Sequence, residues 1–287
     1  MILVDFSQVL ISNVMQEMVQ AKVFSPDLDM FRHMVLNSLR SYRAKFGNEF
    51  GELVICCDGE GSSWRKNIFP YYKAARKKVK TESKFDWKEI YRNVEILTDE
   101  VAKFFPYKLI KIPHIEGDDI IGVLTKHTVV EFPNEKILIL SGDKDFQQLQ
   151  VFPNVQQYDS VRKKWIKTKN PRKFLIEHIA RGDTSDSIPN CYSDDDVFVS
   201  SKRQKCMTKD RVKQILNAGN LEDVLNDDQH RNYKRNECLI SFEFIPETIQ
   251  SDIINKFVMQ TVNSRAKLYD YFVKHNLRIL FQFIQDF

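Results

Sequence analysis

Acidic residues follow four separate apolar segments of the sequence. Asp5 comes directly after the apolar residues 2–4, and Asp58 comes directly after the run VICC at 54–57. Two tighter acidic groups, EGDD at 116–119 and GDKD at 142–145, follow the next two apolar segments. If the four segments are strands of one parallel sheet, these acids lie along the edge where ligands bind. The set comprises Asp5, Asp58, Glu116, Asp118, Asp119, Asp143 and Asp145, and a further pair, Asp183 and Asp186, lies in GDTSD at 182–186.

Clustered carboxylates require a countercharge. Like charges at short range raise each other's pKa, and a divalent cation reverses that effect. Oxygen ligands with no histidine or cysteine nearby favour Mg²⁺ or Mn²⁺ over zinc. Two such ions about 4 Å apart suit in-line displacement at phosphorus, one generating hydroxide and the other stabilising the leaving oxygen. The acids therefore predict a site for two Mg²⁺ ions, for which Mn²⁺ can substitute.

A purely structural role is the alternative for each acid taken singly. An aspartate after a strand is most often a turn former or a helix N-cap. Glu116 and Asp119 would favour a helix N-terminus through the helix dipole, and Asp143 could cap a helix that begins near Asp145. Capping needs one acid at each position, whereas two of these groups contain two or three, so the grouping favours a cation site.

The elements that must position these acids alternate strands with helices in the first half of the chain. Predicted strands cover residues 2–6, 52–57, 107–112 and 136–140, with short edge strands at 155–158 and 164–167. Apolar residues at intervals of three and four predict helices at 31–46, 87–105 and 116–132, and another beginning at 145–150. This alternation predicts an α/β fold, in which a central, mostly parallel sheet carries helices on both faces.

The second half of the chain is mostly helical. Helices are predicted at 174–180, 209–216, 233–240, 248–258 and 267–275, and a polar loop at 193–205. We therefore expect an α/β domain at 1–180, which carries the acidic edge, followed by a helical region at 181–287. The aromatic tail at 280–287 either packs in the core or docks on a partner, and core packing is the favoured interpretation.

Composition and charge exclude several classes of protein. The chain has 287 residues, a net charge of +4 and 43% hydrophobic residues, with no apolar run long enough to span a membrane. Residues 1–5 contain an acid and no basic leader, which disfavours a signal peptide. The five cysteines form no CxxC pair, as is typical of a reducing compartment. We expect a cytoplasmic monomer, in the host cytoplasm if the protein is viral, that binds no membrane.

Basic residues are concentrated in three segments. Residues 65–84 contain eight basic residues interleaved with aromatic ones, a pattern typical of nucleic-acid binding within an arch at about 60–90. Residues 162–173 contain seven basic residues and no acid, for which an exposed hairpin face is an equal alternative. A third cluster lies at 202–213. The predicted nucleic-acid contacts are Arg65, Lys66, Tyr72, Lys73, Arg76, Lys77, Lys80, Lys202, Arg203 and Lys205.

Seven short motifs together resemble the flap endonuclease (5′-nuclease) superfamily. They are LVDFS at 3–7, CDG at 57–59, WR at 64–65, YK at 72–73, EGDD at 116–119, SGDKDF at 141–146 and GDTSD at 182–186. In order and spacing they are most similar to the ribonuclease H branch of T-even bacteriophages, and the similarity extends to YFVK at 271–274.

The resemblance implies a Mg²⁺-dependent 5′-nuclease of phage DNA replication, with exonuclease and flap endonuclease activities. It implies branched or nicked DNA and RNA–DNA hybrids with a 5′ end as substrates, and removal of RNA primers. All nine acids match the family's metal-site positions. One ion is expected on Asp58, Asp118 and Asp143, and the other on Asp143, Asp145 and Asp186, with Asp5 acting through water. Lys73 is expected to contact the scissile phosphate, with Arg76 and Lys80 as further arch residues.

The sequence departs from the family after GDTSD. Many relatives have a glycine-rich hairpin there that holds duplex DNA, whereas no glycine occurs here between Gly182 and Gly219. The basic cluster at 202–213 is the expected replacement. Two other functions stay open: a PIN-like ribonuclease, and a non-catalytic protein that binds DNA of particular structure. A sliding clamp or a single-strand-binding protein is a candidate partner.

Overall fold

The computed structural model describes residues 1–22, 24, 27–76, 81–200 and 202–287, and a six-stranded sheet forms its centre. The spatial order is β3-β2-β1-β4-β5-β6, with the first five strands parallel and β6 antiparallel to β5. The strands are β1 (Ile2–Asp5), β2 (Leu53–Cys57), β3 (Lys108–Lys111), β4 (Ile137–Leu140), β5 (Val155–Asp159) and β6 (Lys164–Ile166).

Helices connect the strands and form most of the second half. In the first half they are α1 (Phe6–Ala21), α2 (Leu28–Phe50), α3 (Arg65–Ile68), α4 (Trp87–Phe104) and α5 (Gly117–Glu131). They continue with α6 (Pro171–Arg181), α7 (Lys209–Asn217), α8 (Asp227–Ile240), α9 (Glu247–Met259), α10 (Ala266–Lys274) and α11 (Arg278–Phe281). Short 3₁₀ helices cover Asp145–Val151, Leu221–Asp223, Phe242–Phe244 and Ile284–Asp286. Within the described part of the chain, no helix is long and apolar enough to cross a membrane.

Both faces of the sheet are covered, as continuous apolar strands require. Alternate residues of β1 enter different cores: Val4 packs with α1, α2, α4 and α10, whereas Leu3 packs with α5 and α9. A third core joins Phe69 and Tyr72 to α6 and α8. Helices of the second half thus pack on both sheet faces. The expected α/β class with a helical C-terminal region is confirmed, while the boundary at residue 180 stays a prediction.

Some elements differ from the sequence prediction. Helix α1 is not among the expected elements, and it begins at Phe6, where a strand was expected to end. Strand β5 lies inside the sheet rather than at its edge, because it pairs with both β4 and β6. The segment at 145–151 is a 3₁₀ helix rather than an α-helix.

The aromatic tail packs in the core, as favoured from the sequence. The Phe287 side chain is fully buried and lies against the rings of Phe105 and Phe272, at centroid distances of 5.6 and 5.2 Å. Leu280 is also buried, whereas Phe283 is 37% exposed. Cys56 and Cys57 are buried free thiols in β2, one in each of the two cores that cover the sheet.

Candidate active site

The ends of β1 and β4 position Asp5. Asp5 caps α1, because its Oδ1 accepts a hydrogen bond from the backbone nitrogen of Gln8 at 3.0 Å. Its Oδ2 accepts from Ser141 Oγ at 2.8 Å, and Ser141 is the first residue after β4. Both oxygens of Asp5 are therefore held by donors of the protein.

The end of β2 is joined to the start of α5 through Asp58. Asp58 Oδ1 accepts from the backbone nitrogen of Gly117 at 2.7 Å, and its Oδ2 accepts from Ser7 Oγ at 2.8 Å. Gly117 opens α5, so the next residue, Asp118, is brought beside the acids of β1 and β2. Three segments distant in sequence thus meet at one sheet edge.

The central acids destabilise each other's charge. Burial raises the pKa of Asp118 well above its usual range, and the charges of Asp5 and Asp143 raise it further. Burial and the Asp145 charge raise the pKa of Asp143 to about 7. Burial, with a contribution from Asp58, raises the pKa of Asp5 to about 6. The protein alone leaves this cluster short of positive charge.

The donor set of this cluster fits a hard divalent cation. Asp5, Asp58, Asp118 and Asp143 offer only carboxylate oxygens, and all four line one cleft of about 690 Å³. Oxygen donors of this kind suit Mg²⁺, Mn²⁺ or Ca²⁺. A cation would also offset the repulsion that raises the pKa values of Asp5, Asp118 and Asp143.

A second group of acids lies beside a buried histidine. His178 Nε2 lies 2.6 Å from Asp145 Oδ1, and these two side chains and Asp183 place one potential ligand atom each within 4.8 Å of one another. The expectation that no histidine lies near the acids is therefore wrong. Burial opposes ionisation of Asp183, but hydrogen bonds from Ser185 and the charge of Lys144 keep its pKa below the usual range.

Asp186 is surrounded by polar groups from the start of the basic segment. Tyr72 Oη lies 3.0 Å from Asp186 Oδ2, Arg76 contacts Asp186 Oδ1, and Lys73 Nζ lies 3.9 Å from Oδ2. Burial nevertheless raises the pKa of Asp186. Although burial opposes it, the charges of Asp186 and Glu116 raise the pKa of Lys73, so its ammonium group stays charged.

Glu116 is an ion-pair partner of the basic segment. It contacts Lys73 Nζ, and its Oε2 lies 2.9 Å from Arg65 Nη1 and 3.0 Å from Tyr72 Oη. Burial opposes the charge of Glu116, but Lys73 and Arg65 hold its pKa below the usual range. Glu116 is thus neutralised by protein cations, unlike Asp118 and Asp143.

Asp119 and Arg65 form a buried pair away from the cleft. Arg65 Nη2 lies 2.8 Å from Asp119 Oδ1, and Trp64 Nε1 donates to Asp119 Oδ2 at 3.0 Å. Asp119 is fully buried and Arg65 is 3% exposed, with Arg65 Nε donating to the Leu239 carbonyl. The structure corrects both predictions: Asp119 does not join the metal-site acids, and Arg65 has no free face for nucleic acid.

The other predicted nucleic-acid contacts of the arch differ in their exposure to solvent. Tyr72 is 3% exposed and packs with Phe69, so its ring is not available to stack on a base, which corrects that prediction. Lys66 and Arg76 are exposed. Lys77 and Lys80 lie outside the described residues.

The third basic cluster rests on an acidic triplet. Lys202 Nζ lies 3.1 Å from Asp196 Oδ2, and Lys205 Nζ lies 3.5 Å from Asp194 Oδ1. Asp195 contacts Arg235 of α8, so each acid of the triplet at 194–196 has a basic partner. Lys202, Lys205 and Arg203 are all exposed and can contact a phosphate backbone.

Comparison with solved structures defines the class of fold. The D15 flap endonuclease of bacteriophage T5, solved with DNA and metal ions, matches with a TM-score of 0.62 at 16% identity, over 97% of this chain and 98% of that one. The T5 D15 protein co-crystallised with metal ions gives a TM-score of 0.58 at 15% identity. The fold is therefore that of the 5′-nucleases.

Sequence comparison identifies the family. Residues 28–177 match the family model of the 5′-3′ exonuclease N-terminal resolvase-like domain, and residues 172–287 match that of the T4 RNase H C-terminal domain. Ribonuclease H of Enterobacteria phage T4 is 33% identical over 294 residues, covering 99% of this chain and 95% of that protein. A 5′-3′ exonuclease of Buchnera aphidicola is 30% identical over 146 residues, about half of each chain.

The chain belongs to the 5′-3′ exonuclease and flap endonuclease family, and its C-terminal part is of the T4 RNase H type. The resemblance stated from the motifs is confirmed. The prediction of a phosphodiester hydrolase is confirmed as well.

Proposed function

We propose that the chain is a Mg²⁺-dependent 5′-nuclease that cleaves branched or nicked duplexes and RNA–DNA hybrids, and removes RNA primers during phage DNA replication. One observation carries the proposal. Asp118 and Asp143, from separate segments, line one cleft at the end of the sheet, where burial and the charges of neighbouring acids raise both pKa values. Such a cluster suits a site that binds divalent cations and, through them, a phosphodiester.

The proposed ligand sets follow the positions of the acids. Asp58, Asp118 and Asp143 would hold one cation, and Asp143, Asp145 and Asp186 the other. Both oxygens of Asp5 already accept hydrogen bonds from the protein, which supports its action through water. Bound cations supply charge neutralisation at the phosphate and lower the pKa of water.

The cationic side chains near Asp186 would bind the scissile phosphate. Lys73 is 19% exposed and Arg76 is 49% exposed, and both line the cleft with Asp58 and Asp118. Their charges are held by acids of the same site, so they are positioned before the substrate arrives. We propose that Lys73 contacts the phosphate, which aligns the bond to be broken.

Two exposed basic surfaces would hold duplex nucleic acid. The first comprises Arg162, Lys163, Lys164, Lys167, Lys169, Arg172 and Lys173, all of which are exposed, and we call it the hairpin surface. It follows β5, which pairs with the strand that precedes Asp143. The second is Lys202, Arg203 and Lys205, which would replace the glycine-rich hairpin of other family members. Phosphate contacts of this kind bind without regard to sequence.

The proposal includes a cytoplasmic monomer whose helical region, residues 181–287, contributes to DNA binding. A sliding clamp or a single-strand-binding protein is its proposed replication partner. Two rivals remain: a PIN-like ribonuclease would prefer single-stranded RNA to forked DNA, and a binding protein would not cleave. The paired acids of a pure binder would only repel the phosphates they approach.

Cleavage of a forked duplex labelled at its 5′ end tests the proposal. We expect short 5′ products or a released flap with Mg²⁺, and none with EDTA or with Asp118→Asn. The matched control is Asp252→Asn, which alters an exposed acid of α9 and should cleave like the wild type. Tight binding without cleavage in any divalent metal would contradict the proposal.

A further inference from the structure

The two acids that follow β4 each have one oxygen held by a donor. The backbone nitrogen of Asp145 donates to Asp143 Oδ1 at 2.9 Å. His178 Nε2 lies 2.6 Å from Asp145 Oδ1. Because a carboxylate can only accept, Nε2 carries the proton in this contact. Asp145 therefore has Oδ1 bound to His178 and can offer Oδ2 to another partner.

The imidazole of His178 is itself held in place. Its side chain is 6% exposed, and the Phe174 ring lies against it with centroids 5.8 Å apart. His178 belongs to α6, which begins with Pro171 after an Asn170 side-chain cap. A buried ring on a capped helix has little freedom to turn, so it fixes the orientation of the carboxylate that it contacts.

Helix α6 also leads directly into the second acidic motif. Its C-cap is Gly182, which has a φ of 66° and lies so close to the Ile188 and Pro189 carbonyl oxygens that a β-carbon has no room there. Asp183 is the next residue. Its backbone N–H donates to the Ile188 carbonyl, and the Ile188 N–H donates to the Asp183 carbonyl. The His178 contact thus ties the element carrying Asp183 to the segment carrying Asp145.

We propose that His178 is a positioning residue for the second cation site: its Nε2–H holds Asp145 Oδ1 and directs Oδ2 towards the cation shared with Asp143 and Asp186. This inference rests on the proposed function. It adds a residue to the site that the acidic motifs do not contain. His178 contacts neither nucleic acid nor cation in this arrangement.

Direct metal binding tests the role without any cleavage assay. The whole protein, free of nucleic acid, is titrated with Mn²⁺, and binding is measured by calorimetry and by electron paramagnetic resonance. The wild type, His178→Ala and His178→Gln are compared. We expect two sites in the wild type, and in His178→Ala one of them weaker by about 10–100-fold. Glutamine keeps an N–H donor at a similar reach, so His178→Gln should restore most of the lost affinity.

A matched variant and a kinetic comparison separate positioning from general damage. His230→Ala removes a half-buried histidine of α8 and should leave both affinities unchanged. With forked DNA, His178→Ala should need more Mg²⁺ for half-maximal single-turnover rate while its KM for DNA stays within about twofold of the wild type. Saturating Mg²⁺ should return most of the rate.

Three results would overturn the inference. Unchanged Mn²⁺ affinity at both sites in His178→Ala would show that His178 does not position Asp145 for cation binding. Failure of His178→Gln to recover affinity while its unfolding midpoint matches the wild type would exclude the hydrogen bond as the cause. A directly bonded nitrogen in the spin-echo spectrum of Mn²⁺ would make His178 a ligand. Absence of any metal binding by the wild type would instead refute the proposed function itself.

Discussion

Arg65 Nη2 lies 2.8 Å from Asp119 Oδ1, and both side chains are buried between the start of α5 and α8. Asp118, one residue earlier, lines the cleft with Asp5, Asp58 and Asp143 instead. Consecutive residues of a helix are rotated by about 100°, so only one of the two acids can face the sheet edge. The EGDD motif thus supplies an acid for the cleft and an acid for the interior.

Asp119→Asn should destabilise the protein without removing its chemistry. The substitution leaves Arg65 buried without a charge partner, for which we expect a loss of about 3 kcal/mol in the free energy of unfolding. Urea unfolding measures that loss, and single-turnover cleavage at low temperature should stay within about threefold of the wild type. Cleavage abolished in a fully folded Asp119→Asn would contradict the structural role.

Asp118→Asn, in contrast, should stabilise the metal-free protein and strongly reduce cleavage. Replacing a carboxylate with a raised pKa by a neutral amide relieves repulsion in the metal-free protein. In EDTA at pH 8 we expect the unfolding midpoint to rise by about 2–6 °C, on the order of 1–2 kcal/mol. Cleavage in Mg²⁺ should fall by at least about a thousandfold. A lower midpoint in EDTA would show that the cluster is not repulsive.

The stability of the metal-free protein should fall as the pH rises. The pKa of Asp5 is raised to about 6 and that of Asp143 to about 7, so the folded state binds protons more tightly than the unfolded state. Their stabilising effect is complete below pH 4 and is lost as the pH rises through 6 and 7. Urea unfolding in EDTA between pH 5 and 8 measures this slope.

Asp143→Asn and added Mg²⁺ are the controls for that slope, and each should reduce it. The comparison with the variant matters because the His275 pKa, lowered first by burial and then by Arg32, gives a contribution of opposite sign below pH 6.5. A slope identical in wild type and Asp143→Asn would show that the carboxyl is not perturbed.

Lys73→Ala should slow cleavage while metal binding is retained. The Lys73 ammonium group lies in the cleft and is held charged by Asp186 and Glu116, so its loss would remove the proposed phosphate contact. We expect a decrease of about 10²-fold or more in single-turnover rate, with Mn²⁺ affinities within about threefold of the wild type. Lys103→Ala, which changes an exposed lysine in the last turn of α4, is the control. Equal rates for both variants would exclude Lys73 from the phosphate.

Removing charge from the hairpin surface should weaken duplex binding and its salt dependence. The triple variant Lys163→Ala, Lys164→Ala, Lys167→Ala removes exposed cations that make no ion pair within the described residues. Each lost phosphate contact should reduce the slope of log affinity against log salt by about 0.9. A triple alanine variant of Lys256, Lys267 and Lys274, exposed on α9 and α10, provides a charge-matched control. Equal salt slopes for the two variants would place the duplex elsewhere.

The sequence predicts the edge of the sheet better than its surroundings. Apolar runs predict strands, and an acid directly after such a run lies at the carboxyl end of its strand, as Asp5 and Asp58 do. Helix α1 was missed although Asp5 caps it and its apolar residues at 9, 10, 14 and 18 recur at helical intervals. Asp5 both caps α1 and lines the cleft. From the sequence, capping and cation binding were treated as alternatives.

Contacts between distant segments account for the remaining differences. Arg65 belongs to a run of charges, which favours exposure, but it is buried because Asp119 and the carbonyl of Leu239, 174 positions away, are its partners. His178 has no motif spacing relative to Asp145, so no sequence signal connects them. Tyr72 matches a family motif, but its burial depends on packing against helices of the second half.

Helix α6 sets a fixed length within the molecule. Its first turn carries Arg172 and Lys173 of the hairpin surface, and Asp183 and Asp186 follow its last turn. Eleven helical residues span about 16 Å. The separation between the proposed duplex-binding surface and the proposed second cation site is therefore set by a helix rather than by a flexible loop. Lengthening α6 by one residue would move its two ends about 1.5 Å further apart and rotate one relative to the other by about 100°. A flexible loop of the same length would accommodate such an insertion.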